Sequence, residues 1–99
     1  MRIARPSDNL VTIKKMYMDG LDLPLLGEFV DHEGFDGVII GQPGGPHHLE
    51  FTAKAGHKVG LAPTQDHLLV FYYPDHNTWI ARCRRMLGAG FLEVVSFNP

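Results

Sequence analysis

Polar and apolar residues alternate most regularly between His47 and Lys54. Leu49, Phe51 and Ala53 stand on one side, and His48, Glu50, Thr52 and Lys54 on the other. A period of two predicts a half-buried strand. Similar patterns predict strands over Arg2 to Arg5, Leu25 to Asp31, and Phe35 to Gly41 with its apolar run Val38-Ile39-Ile40. Asp66 to Tyr73 and Phe91 to Phe97 are rich in β-branched and aromatic residues and are expected to be strands as well.

Two stretches have a helical period instead. Leu10, Ile13, Met16 and Tyr17 share one face, as do Trp79, Ile80, Cys83, Met86 and Leu87. Asp8 or Asn9 is placed to cap the first helix, and the Pro74-Asp75-His76-Asn77 turn to cap the second. Gly20 and Gly88 stand where the helices should end.

The turns repeat at a fixed offset. Pro6 and Pro74, Asn9 and Asn77, and Gly20 and Gly88 are each 68 positions apart. Matching punctuation at one offset predicts a duplicated unit. The first copy reads βαβββ and the second only βαβ. The expected fold is α+β, with residues 1–99 in a single domain, a first module over 1–55 and a partial second over 64–99.

Ninety-nine residues allow one core with little surplus, and a composition 44% apolar and 20% charged is that of a globular chain. A net charge of −2 gives no basic excess for nucleic acid. Arg82, Arg84 and Arg85 cluster, but on a helix whose other side is apolar, so they read as a solvated face before a phosphate patch. No apolar run reaches the ~18 residues of a membrane span, and the N-terminus has no signal-peptide pattern. The single cysteine, Cys83, cannot form an internal disulfide, and a cytoplasmic location is expected. The Gly41 to Gly45 loop lacks the lysine and following helix of a P-loop, so it reads as a hairpin turn.

The phrases IARPSDNL, YMDGLDLPLLGEF, DGVIIGQP, HHLEFT, HLLVFYYPD and LGAGFLEVVSFNP run through nearly the whole chain. With the paired-module pattern, they make the sequence resemble the vicinal-oxygen-chelate superfamily, and within it the YycE-like subgroup. That superfamily includes glyoxalase I, fosfomycin- and bleomycin-resistance proteins and extradiol dioxygenases. The resemblance implies paired βαβββ modules, with the second module incomplete at its C-terminal end. It also implies metal ligands at the start of the first strand and within the last strand of each module. Glu50 falls on the carboxylate position of the first module, and His67 on the histidine position of the second. The counterparts of these two positions, at the same offset, fall before Met1 and after Pro99. The implied cofactor is a divalent metal such as Zn, Ni, Mn or Fe, and Glu50 is the candidate catalytic base.

Strand alternation gives these positions neighbours. His48 and Thr52 share the face of Glu50, and Leu69, Phe71 and Tyr73 share the face of His67. Together they would form a substrate pocket with an aromatic wall and a few polar groups. The plainer reading makes Glu50 a solvated carboxylate and His67 an exposed histidine beside Asp66. His47 points away from His48. His32, His57 and His76 lie in turns, and Cys83 reads as a buried thiol.

Two functions stay open. One is metal-dependent lyase or isomerase chemistry on a small oxygen-rich molecule. The other is metal-free binding of a small molecule, as in bleomycin resistance. The N-terminal strand, Arg2-Ile3-Ala4-Arg5, offers no histidine, which weighs against the metal; Glu50 with His67 weighs for it. A homodimer is expected in either case, because the incomplete second module leaves a sheet edge open.

Overall fold

The computed structural model describes residues 1–95. The chain opens with strand β1 (Arg2–Pro6) and helix α1 (Leu10–Lys15), which runs on as a π-helical turn over Met16–Gly20. Strands β2 (Leu25–His32), β3 (Phe35–Ile40) and β4 (His48–Lys54) follow, and helix α2 (His76–Gly88) comes last. The first half is therefore βαβββ, as the pattern predicts.

The four strands form one mixed sheet in the order β1-β4-β3-β2. β1 and β4 are parallel, and the other two pairings are antiparallel. Register decides what each face carries. Ile3 and Ile40 flank Leu49, and Arg5 and Val38 flank Phe51. Side chains of paired residues share a face, so this face is apolar apart from Arg5 at its edge strand. Val38, Ile40, Leu49 and Phe51 form its buried cluster, with Leu10, Ile13, Tyr17 and Met18 packed over it. The Tyr17 ring lies 4.8 Å from that of Phe51, and burial pushes the Tyr17 hydroxyl up from its ordinary pKa. Each fully buried side chain of the Ile or Phe class contributes roughly 1.5–3 kcal/mol, so Ile40 and Phe51 are main anchors.

Local chemistry sets the boundaries. The Asn9 side chain accepts a hydrogen bond from the Thr12 N–H at 3.1 Å and starts α1. Glu33 and Gly34 take positive φ in the tight β2–β3 turn, where glycine has no Cβ to strain. The Asp36 carboxylate accepts from the Asp31 N–H at 2.8 Å and braces the base of that hairpin.

The second half departs from the expectation. Asp66 to Tyr73 and Phe91 to Val95 belong to no ladder, so the partial βαβ module is a single helix among the described residues. The remaining two residues of the last expected strand, Ser96 and Phe97, lie outside them. The physical reason is pairing. Strand propensity describes a segment that fits a pleated surface beside a neighbour. The four strands of the first half pair with one another. The second segment keeps apolar side chains without a ladder, and Leu68, Val70 and Tyr72 are 55%, 60% and 87% exposed.

Helix α2 docks by its C-terminal end. Phe91 meets Tyr17 edge-on at 5.3 Å. Gly20 packs so closely beneath Phe91 that a Cβ there would sit 2.9 Å from its ring. Arg85 donates from Nε to the Asp19 carbonyl at 2.8 Å. The cap is Asp75, whose carboxylate accepts from the Thr78 N–H and hydroxyl. The expected counterpart of Asn9 was Asn77. The repeat thus holds at the two terminal glycines and not at the caps, because α2 starts two positions earlier in its copy.

Candidate functional site

Strand β4 divides the candidate residues between two surfaces. Leu49 and Phe51 point under α1, so His48, Glu50 and Thr52 point to the other side. Glu50 pairs in register with Ala4 and Ile39. Its side chain is 22% exposed and lies 3.6 Å from the Arg2 guanidinium. On this same face the Phe29 ring covers Gly37, and Lys54 lies 5.9 Å from the centre of the Phe35 ring. The face combines carboxylate, guanidinium, imidazole and aromatic groups, as the alternation around Glu50 implies.

His67 lies elsewhere. It is exposed and borders a cavity of about 410 Å³ between Arg5, Pro6 and the Val59 to Pro63 loop. Asp8 ties that loop down: its carboxylate accepts from the Val59 and Gly60 N–H groups, both at 2.8 Å. Those hydrogen bonds hold the Asp8 carboxyl below its ordinary pKa. Glu50 does not line this cavity, and no hydrogen bond links it to His67 among the described residues.

The structure does bring three candidates together. His48, Leu69 and Phe71 line a cavity of about 560 Å³ with Ile3, Leu23, Ile40 and Leu49. Ile3, Ile40 and Leu49 come from the apolar sheet face, and Leu68 to Phe71 pass across the end of the strands. Leu68 and Val70 line it as well as Leu69 and Phe71. A strand would have sent alternate residues away; this unpaired segment does not. The His48 ring turns over Gly41, where a Cβ would stand 2.9 Å from its Cδ2. His48 Nε2 lies 3.0 Å from the Gln42 carbonyl oxygen. A carbonyl only accepts, so this contact is a hydrogen bond in the tautomer that carries its proton on Nε2.

Thr52 and Tyr73 are separate from this group. The Thr52 carbonyl accepts from the Ser7 N–H at 2.8 Å, and the residue borders a smaller cavity with Phe35 and His57. The Tyr73 ring lies 5.7 Å from the Arg82 guanidinium carbon. Two features escape the sequence pattern. The Gly41 to Pro46 turn is a wall of the cavity beside His48, which its glycines and prolines do not announce. A cleft of about 490 Å³ also runs between α1 and β2, closed on one side by the Lys14–Glu28 ion pair.

The donors do not gather as the metal expectation requires. Among the described residues no three His, Cys, Asp or Glu side chains converge on a point that could hold an ion. Glu50 and His67 offer two donors in separate places, whereas protein metal sites ordinarily use three or four. These residues alone do not fit a catalytic metal.

A mixed four-stranded sheet with two helices, ordered βαβββ in its first half, is consistent with the α+β fold of the glyoxalase-like proteins. The comparisons are more specific. Residues 1–52 match the YycE-like N-terminal domain, and residues 66–99 match the YycE-like C-terminal domain. The chain belongs to the YycE-like family. It is 42% identical over 99 residues to the uncharacterized protein YycE of Bacillus subtilis (strain 168), spanning all of this chain and 71% of that protein. It superposes with a TM-score of 0.89 on a crystal structure from Bacillus subtilis, at 42% identity over all of this chain and 72% of the other. That structure is of a YycE protein of unknown function, described as a candidate glyoxalase/fosfomycin resistance protein.

Proposed function

We propose that this YycE-like chain binds a small molecule in the cavity that His48 lines with Leu69 and Phe71. The carrying observation is the cavity itself. Its volume of about 560 Å³ suits a small ligand, its walls are mostly aliphatic and aromatic, and polar groups stand at one end. Apolar walls bind by removing surface from water. At the polar end, Gln42 and His48, joined by the 3.0 Å contact between His48 Nε2 and the Gln42 carbonyl oxygen, border the cavity and supply the groups that fix orientation. A ligand with an apolar body and one polar head fits this arrangement. The likeness to a candidate glyoxalase/fosfomycin resistance protein supports the small-molecule class.

The test is a fluorescence titration with 1-anilinonaphthalene-8-sulfonate, an apolar body with an anionic head. The expected result is saturable binding that Leu69→Asp weakens tenfold or more and Val11→Asp leaves unchanged. Equal loss in both variants, or no saturation, would overturn the reading.

A second reading, metal-dependent lyase or isomerase chemistry on an oxygen-rich molecule, draws on Glu50 and His48 sharing the face away from α1. It needs donors beyond Glu50 and His67. Elemental analysis of protein purified without chelator or affinity tag separates the readings. Stoichiometric Zn, Ni, Mn or Fe that Glu50→Ala removes would favour the second. The protein is also proposed to act as a homodimer in a reducing cytoplasm, on the grounds of its exposed apolar segments and single thiol.

A further inference from the structure

We propose that the ligand of the cavity beside His48 is a small organic acid, an apolar body with a carboxylate head, and that His47 is the residue that selects the acid. The inference rests on the small-molecule reading above and names the chemical class of the ligand.

Ionisable groups around this cavity are few. Among the described residues its lining holds no Asp, Glu, Lys or Arg, and its ionisable side chains are those of His47 and His48. His48 is half-buried, with its Nε2 on the Gln42 carbonyl oxygen. His47 is exposed, and among the described residues no hydrogen bond or ion pair engages its ring. That imidazole is open to a ligand head as well as to water. Both of its protonation states have an N–H to donate, and the protonated form adds a positive charge. A carboxylate accepts from such a group in a charge-assisted hydrogen bond, which is stronger than the neutral bond a hydroxyl head would make.

The backbone holds His47 at the rim. It lies two residues before Leu49, which lines the same cavity, and residues two apart on an extended chain share a side. Met1 ties down both neighbours. Its amino group donates to the Pro46 carbonyl at 3.1 Å, and its carbonyl accepts from the His48 N–H at 3.0 Å.

No nearby acid cancels positive charge there. Glu50 is on the other face of the sheet and lies 3.6 Å from Arg2. Asp22, next to Leu23 of the wall, lies 3.5 Å from Arg85. The Gly41 to Pro46 turn and the Leu68 to Phe71 segment carry no ionisable side chain, and the Met1 amino group adds to the positive side. A cationic head would meet no countercharge, whereas an anionic head meets the imidazole. Ile3, Ile40, Leu69 and Phe71 then take the apolar body out of water.

The experiment follows the Leu69 methyl resonances during titration with 2-naphthoate and, separately, with 2-naphthalenemethanol. Ionic strength is constant and the pH is about 6, where a carboxylic acid is ionised. The probes share one ring system and differ in the head. The expected result is saturable binding of both, with naphthoate at least tenfold tighter. His47→Gln should bring naphthoate to within about threefold of the alcohol and leave the alcohol unchanged. His47→Lys should keep the preference, and Arg84→Gln, a charge lost from the exposed side of α2, should leave both probes unchanged. Equal affinity for the two probes in the wild type, or a preference that survives His47→Gln, would overturn the inference while the cavity reading stands. Equal weakening of naphthoate in Arg84→Gln would also overturn it, by showing a diffuse charge effect. Failure of both probes to move Leu69 would overturn the cavity reading and the inference with it. The wild-type comparison keeps the test valid if a variant fails to fold.

Discussion

Gly37 is held without a side chain by its neighbour across the ladder. A Cβ there would stand 2.2 Å from the Phe29 ring. Gly37→Ala is expected to cost about 1–3 kcal/mol, the usual penalty of overpacking, and Phe29→Ala in the same chain should remove most of that penalty. Urea unfolding of the two single variants and the double variant measures the coupling; simple additivity would contradict the packing account. Asp8 gives the pH prediction. Its pKa is lowered chiefly by the Val59 N–H, then by that of Gly60. The clamp is fully present above the unfolded aspartate value and is lost as pH falls through the lowered folded value. The Val59 and Gly60 amide shifts should therefore titrate with a midpoint below 3.8, the ordinary value. A midpoint at or above it would show that Asp8 does not hold the loop. Residue-scale alternation around Glu50 was legible in the sequence because a strand has a strict period. The meeting of His48 with Leu69 was not, because it depends on the path of an unpaired segment.

At the scale of elements, the first half followed its pattern closely. Asn9, the Glu33-Gly34 turn and the alternation in β4 each act within a few residues, so local chemistry was enough to place them. The expected strand over Asp66 to Tyr73 failed for the opposite reason: a ladder needs a second strand, which no local pattern supplies. Helix α2 formed as expected but buries none of its residues fully. It relies on its cap and on the contacts of Arg85 and Phe91. Asp75→Ala should remove about 1 kcal/mol, the typical worth of an N-cap. Hydrogen exchange should show the loss in the first turns of α2 while β3 and β4 keep their protection. In contrast, Phe51→Ala should cost about 3–5 kcal/mol and loosen the whole sheet together. Uniform loss of protection in Asp75→Ala would mean that α2 and the sheet unfold as one unit.

The whole molecule has a well-filled core on one side of its sheet and little cover over its C-terminal half. Leu92, Val94 and Val95 are 86%, 78% and 94% exposed, adding to the apolar residues of the Asp66 to Tyr73 segment. Exposed apolar surface of this kind promotes association. Light scattering should show a dimer at high micromolar concentration, and a well-folded monomer there would contradict the proposed homodimer. The central claim is narrower: a small molecule binds where the end of the sheet meets Leu68 to Phe71. Methyl NMR during titration with 1-anilinonaphthalene-8-sulfonate tests it most directly. The account predicts that the Ile40, Leu49 and Leu69 methyls shift together and saturate, while Val11 and Val30, in the cleft beside α1, stay in place. Shifts confined to Val11 and Val30, or spread evenly over the exposed apolar residues, would contradict it.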